Sequence, residues 1–157
     1  MELIPAVDSY EKAMRVALEE AALARGHSDV PVGAVALLDG EVVARRHNER
    51  ELTGDPTAHA EILVIRDAAV TLGSWRLDAV TVVVTLEPCP MCAGALVAAR
   101  VARVVFGAAD PKAGAAGSLY NLCSDPRLNH EPALLAGLRA DAASDLITSF
   151  FRDRRRG

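Results

Sequence analysis

Residues 81–100 read TVVVTLEPCPMCAGALVAAR, and the change of character halfway along this stretch decides the fold. TVVVT, 81–85, is β-branched and continuously apolar, as a central strand covered on both faces must be. Pro88-Cys89-Pro90 breaks the strand, MCAGALVAAR continues as a helix, and RVVFG, 103–107, starts another strand. Strands alternating with covering helices make an α/β sandwich.

Toward the N-terminus, VGAVALL and EVVARRH flank Asp39-Gly40, a pair that favours the positive φ values of a tight hairpin turn. Two antiparallel strands are therefore expected. Residues 8–25 carry helical periodicity, with Asp8 or Ser9 as cap, Ala13, Val16, Ala17, Leu18, Ala21 and Leu23 as apolar face, and Gly26 as terminator. Asp55-Pro56 is a helix-start signal and Gly73 a stop, which puts His59 and Glu61 near the N-terminal end of that helix.

Toward the C-terminus, GAADPKAGAAGS, 107–118, is a Gly-rich loop by composition. EPALLAG reads as a short edge strand or a connection, and both readings stay open because Pro132 suits either. LRADAASDLITSFFRDRRR is a terminal helix whose Arg152, Arg154, Arg155 and Arg156 suit the negative end of a helix dipole.

With 157 residues, 51% of them hydrophobic, the chain fits a single domain spanning 1–157. The start lacks the basic and apolar regions of an export signal, and the apolar runs are short or broken by Arg100 and Arg103. A soluble, cytoplasmic protein without a membrane partner is expected. Three cysteines, an odd number, argue against a disulfide framework. The net charge of −4 offers no gross footprint for nucleic acid, so any basic surface must be local.

Cys89 and Cys92 share one face of a helical turn, whose N-terminus favours the thiolates that zinc requires. One imidazole, from His59, completes three ligands and leaves a fourth position for water. The pKa of such a water falls from about 15.7 to around 7, giving hydroxide at neutral pH. Glu61 is the expected proton carrier and not a ligand. Positions two apart diverge in mid-helix, so His59 and Glu61 converge only at a helix end facing the metal. Thirty positions separate His59 from Cys89, whereas common zinc fingers place their ligand pairs within about 12 to 20 residues. Cys123, in NLCSDP, has no partner motif and is expected to be a buried hydrophobe.

His-x-Glu followed by Pro-Cys-x-x-Cys resembles the zinc-dependent nucleobase deaminases of the cytidine/deoxycytidylate deaminase superfamily. VPVGAV, DPTAHAEI, VTLEPCPMCAGAL, RVVFGA, KAGAAGSL and FFRDRR fall in the order seen in bacterial tRNA-specific adenosine deaminases, and the resemblance covers nearly all of the chain. It implies a three-layer α/β/α sandwich with a central mixed five-stranded sheet and one Zn2+ per subunit of a homodimer. The activity implied is conversion of adenosine to inosine at the wobble position of a tRNA anticodon, usually that of an arginine tRNA. By the same matching, His59, Cys89 and Cys92 are the zinc ligands and Glu61 the proton shuttle. Asn48 bonds the flipped base, Val32 and Leu86 wall its pocket, Asp110 contacts a neighbouring ribose and Asn129 is a lining residue. Phe151, Arg152 and Arg154 belong to the surface for the anticodon stem-loop. Ala109 stands where many relatives carry a basic residue, which shifts RNA affinity toward the tail.

Two rival functions share these features. A deaminase of free guanine, cytosine or their nucleosides has the same zinc chemistry, although the KAGAAGS loop and FFRDRR ending resemble the tRNA enzymes more. A non-catalytic, zinc-stabilised RNA-binding module needs no carboxylate beside the metal. His27, His47 and His130 are expected in ordinary hydrogen-bonded or surface roles, and Trp75 as a packing anchor.

Overall fold

Polar and glycine punctuation cuts the chain into α1 (Leu3–Ala24), β1 (Gly33–Leu38), β2 (Glu41–His47), α2 (Arg50–Thr53), α3 (Ala60–Leu72), β3 (Thr81–Leu86), α4 (Pro90–Ala98), β4 (Arg103–Ala108), β5 (Ala133–Ala136) and α5 (Ala140–Arg156). The computed structural model describes residues 3–156, with side chains from 7 to 155. One sheet runs in the order β2-β1-β3-β4-β5. β1 is antiparallel to both β2 and β3, whereas β3, β4 and β5 are mutually parallel.

Strand alternation divides the core. Ala34, Ala36, Val82, Val84, Val104 and Phe106 turn to the side of α3 and α4, where they pack with Val64, Ala68 and Leu96. Val35, Leu37, Val83 and Val105 turn to the other side and meet Ala13, Met14 and Ala17 of α1. β3 is covered on both faces, which is why it carries no polar alternation. The result is the expected three-layer α/β/α sandwich with a mixed five-stranded sheet.

The hairpin forms as read, with φ of 52° at Asp39 and 78° at Gly40. EPALLAG resolves as the edge strand β5, paired to β4 from Arg103↔Ala133 onward. α5 covers LRADAASDLITSFFRDRRR from Ala140 on, and its second half is tied to the end of α1. There the Arg25 guanidinium donates to Ser149 Oγ at 2.8 Å and to Asp153 Oδ2 at 2.6 Å.

Several local readings need correction. α1 begins upstream of Asp8 and Ser9, so neither is its cap, and Gly26 lies in a 3-10 turn (Arg25–His27) that ends on Ser28 at φ 63°. The buried stripe of α1 is Ala13, Met14, Ala17, Ala21 and Ala24, with Val16 and Leu18 packed beside it as expected, and Leu23 falls off it, 57% exposed. Asp55-Pro56 does not open α3: the Asp55 carboxylate closes a local turn on the Thr57 amide and hydroxyl, both at 2.8 Å. Such side-chain turns compete with helix formation, and α3 starts after His59 and ends at Gly73 with φ 66°. Trp75 is no packing anchor, being 63% exposed with the Arg76 guanidinium 5.8 Å above its ring.

Cys123 is fully buried, and burial pushes its thiol up to about 11. The other histidines are hydrogen-bonded: His27 to Asp29, His47 to Glu20 and to His27, and His130 to the Val101 carbonyl. No described helix is long and apolar enough to cross a membrane.

Candidate metal centre and cleft

Strand direction creates the site. Because β1 runs against β3 and β4, its start lies level with the ends of β2, β3 and β4, and α3 and α4 both begin at that same edge. His59 is the N-cap of α3 and Cys89 the N-cap of α4, both with extended backbone. Neither side chain caps its own helix, so both are free to point outward, and Cys92 follows one turn into α4. The positive ends of two helix dipoles thereby face the sulfurs and favour thiolates.

His59 Nδ1 lies 3.6 Å from Cys89 Sγ and 3.4 Å from Cys92 Sγ, and the three donor atoms fall within 4.8 Å of one another. Tetrahedral zinc with Zn–S of about 2.3 Å and Zn–N of about 2.05 Å separates sulfur from nitrogen by about 3.6 Å. Both sulfur–nitrogen separations therefore fit zinc. Among the described residues no other group of three such ligands occurs. The chain's own groups already make Cys89 a thiolate, held at about 4 chiefly by the Cys92 S–H and further by His59. Cys92 is pushed up by Cys89 and by burial, so an ion that takes both sulfurs displaces its proton.

Glu61, in the first turn of α3, is 4% exposed and stands against Cys92. Burial pushes its carboxyl up to about 7, overcoming the lowering effects of its own amide, His59 and Cys92. It lines a cavity of about 170 Å³ together with His59, Cys89, Val32, Asn48, Leu86 and Asp110. Val32 and Leu86 supply apolar wall. Asn48 is buried and partly committed, since Nδ2 donates to the Val30 carbonyl and Oδ1 accepts from the Arg50 amide, both at 3.2 Å. One hydrogen of Nδ2 and a lone pair of Oδ1 remain for a ligand.

The cavity continues outward as a groove along α5, sharing Leu86 and Asp110 and adding Lys112, Ile147 and Phe151. Beyond Phe151 the groove reaches Thr148, Arg154 and Arg155. Phe151 and Arg154 are thus on the cleft. Arg152 is exposed and sits on a different side of α5, outside the groove, because the groove side repeats as 147, 151, 154, 155. Asn129 is not brought to the cavity either. It is exposed in the connection before β5, whose start is level with Arg103, at the far end of β4 from the site.

Sequence reasoning passed over Arg50, which sits exposed at the cavity mouth, and Arg155 as a specific groove residue. It also missed Glu87, since a glutamate next to a Pro-Cys pair carries no motif of its own. Glu87 is 2% exposed. Burial raises its carboxyl, but the Ser118 hydroxyl and the amides of Asp110, Ser118 and Ala116 outweigh this and hold it below the usual range.

The model of the MafB19-like deaminase family matches residues 8–155. A tRNA-specific adenosine deaminase of Bacillus subtilis (strain 168) is 47% identical over 146 residues, which are 93% of this chain and 91% of that one. A solved structure from work on A-to-I editing by tRNA:A34 deaminases at the wobble position of transfer RNA superposes with a TM-score of 0.83 at 44% identity, covering 86% of this chain and 98% of the other. The guanine deaminase from Nitrosomonas europaea shares the fold, with a TM-score of 0.75 at 24% identity over 89% of this chain and 83% of the other. The chain belongs to the MafB19-like deaminase family and, within it, to the tRNA-specific adenosine deaminases.

Proposed function

We propose that the protein hydrolyses adenosine to inosine at the wobble position of a tRNA anticodon, releasing ammonia. The observation that carries this reading is a buried carboxyl poised at about 7 beside three zinc-type donors, in a cavity that opens onto a basic groove. His59, Cys89 and Cys92 would hold zinc, which supplies Lewis acidity that brings the pKa of a water to around 7. Glu61 is the proton shuttle: it takes one proton from the attacking water and gives it to the ring nitrogen beside the attacked carbon, then takes the proton left on the newly bonded hydroxyl and gives it to the departing amine. A group whose pKa lies near the working pH serves equally as base and acid. The bond to the amino group breaks, a bond to oxygen forms, and no redox partner is needed.

Asn48 is assigned to the edge of the flipped base, Val32 and Leu86 to its faces, and Asp110 to the neighbouring sugar. An anticodon loop offers unpaired bases at low unstacking cost, and Lys112, Phe151 and Arg154 lie where adjacent nucleotides leave the cavity. Arg152 and Arg155 add positive charge nearby. An arginine tRNA in the cytoplasm is the substrate the family resemblance favours. A homodimer is supported by the exposed Leu119, Tyr120 and Leu128 on the connection between β4 and β5.

The test is incubation with an anticodon stem-loop carrying adenosine at the wobble position, followed by nucleoside analysis. Inosine is expected. Its absence together with rapid turnover of free guanine reverses the assignment in favour of a free-base deaminase.

A further inference from the structure

Glu87 is the last buried carboxylate before Pro88-Cys89; it borders the cavity, and both of its carboxylate oxygens are turned into the Gly-rich loop. Its Oε1 accepts from the Asp110 amide at 2.9 Å and from the Ser118 hydroxyl. Its Oε2 accepts from the Ala116 amide at 2.9 Å and the Ser118 amide at 3.0 Å. Four bonds saturate the acceptor sites of a carboxylate, and here every donor is neutral. The loop also grips the chain just after the carboxylate, through Ala115 N to Pro88 O, while the end of β4 holds Glu87 itself through Glu87 N to Ala108 O, both at 2.8 Å. Gly114 lies so close that a Cβ there would stand 2.3 Å from the Glu87 carboxyl carbon. The segment 110–118 is therefore wrapped around one side chain, and that side chain is two residues from Cys89.

The same segment presents Asp110 and Ala113 to the cavity and Asp110 and Lys112 to the groove. The Asp110 carboxylate is itself turned onto the Lys112 and Ala113 amides, at 3.0 and 3.2 Å, so the loop wall is tied together internally. We propose that Glu87 is a positioning residue for substrate: it fixes the loop wall of the groove at a set distance from the metal donors, so that polynucleotide affinity depends on it while metal binding does not. This inference rests on the deaminase reading above for its substrate and on the hydrogen bonds alone for the positioning.

Glu87→Gln keeps the shape but aims an amide NH2 at two of the four donors. With an adenosine-containing anticodon stem-loop, KM should rise about 10-fold or more and kcat stay within about threefold. Zinc content should be that of the wild type, and the amides of Asp110, Ala116 and Ser118 should exchange hydrogen faster. Gly114→Ala presses on the carboxylate from outside and should give the same KM effect with Glu87 intact, while Ser118→Ala removes one side-chain donor and should give a smaller one. These two also carry the test if Glu87→Gln fails to fold. Unchanged KM with only a lower Tm, or a loss of kcat or zinc at constant KM, overturns the proposal. If the wild type itself makes no inosine, the functional reading fails, and loop exchange in Glu87→Gln still decides the positioning: faster supports it, unchanged sinks it.

Discussion

His59 and Cys89 are each the residue that begins a helix, one on α3 and one on α4, and their side chains meet with Nδ1 3.6 Å from Sγ. Two helix N-termini thus converge on one point from separate crossovers of the sheet. Cys92 joins them because a helix brings the third residue after its cap back to the same face.

Glu61 is buried beside these donors without being one of them. Glu61→Gln should leave zinc content and Tm nearly unchanged and lower kcat by about 10²–10⁴-fold, the usual worth of a general acid–base group. Metal analysis and inosine formation on the same sample check this. Retained activity would remove the shuttle role, and lost zinc would make Glu61 a ligand.

Cys89→Ala, Cys92→Ala and His59→Ala should each abolish stoichiometric zinc binding. Far-UV circular dichroism should stay near wild type, because the core between sheet and helices does not pass through the donors. An unfolded apoprotein would show that the ion is part of the folding free energy, as in zinc fingers.

The Asp29 carboxylate is fully buried. Burial raises its pKa, but the amides of Glu51 and Leu52, at 2.7 and 3.1 Å, together with His27, outweigh that and hold it below its ordinary 3.8. Its folded pKa is depressed, so its stabilisation is complete above about pH 4 and is lost as pH falls through the folded value. Glu20, where burial is likewise outweighed by His47 and Arg45, adds to the same acid limb. Asp29→Asn should cost about 1–3 kcal/mol at pH 7, and its denaturation curve should approach the wild-type curve at low pH. Parallel curves at all pH values contradict the assignment.

Lys112 and Arg154 line the groove together with Phe151. Replacing either with Ala should weaken stem-loop binding and reduce the slope of log K against log salt by about 0.7–1 for each phosphate no longer neutralised. Arg152→Ala, off the groove, should change the slope less. Equal effects from all three would mean that the tail acts only as diffuse charge.

The sheet and the donor set were legible because each has a local signature. TVVVT has no polar alternation, Asp39-Gly40 fixes a turn, and Cys89-x-x-Cys92 is a helical spacing. Asp55-Pro56 misled because the Asp55 side chain has two uses, cap or local turn, and only the surroundings choose between them. Trp75 misled because burial depends on where a loop lies and not on the residue's preference. Asn129 and Arg152 needed the register of β5 and the rotation of α5, neither of which is written in composition. Glu87 was invisible for a further reason: three of its four partners are backbone amides, which every residue has.

The tie from Arg25 to Ser149 and Asp153 bears on how a polynucleotide would meet this molecule. The basic end of α5 is already helical and anchored to the turn that follows α1 before any ligand arrives. Ordering a free tail consumes about 1–2 kcal/mol per residue in backbone entropy, and here that loss has been absorbed on folding. Association should resemble the docking of two rigid bodies, with a small heat-capacity change for its contact area. Cutting the anchor with Arg25→Ala should make calorimetric binding more exothermic, more entropically opposed and weaker, although Arg25 itself lies outside the groove.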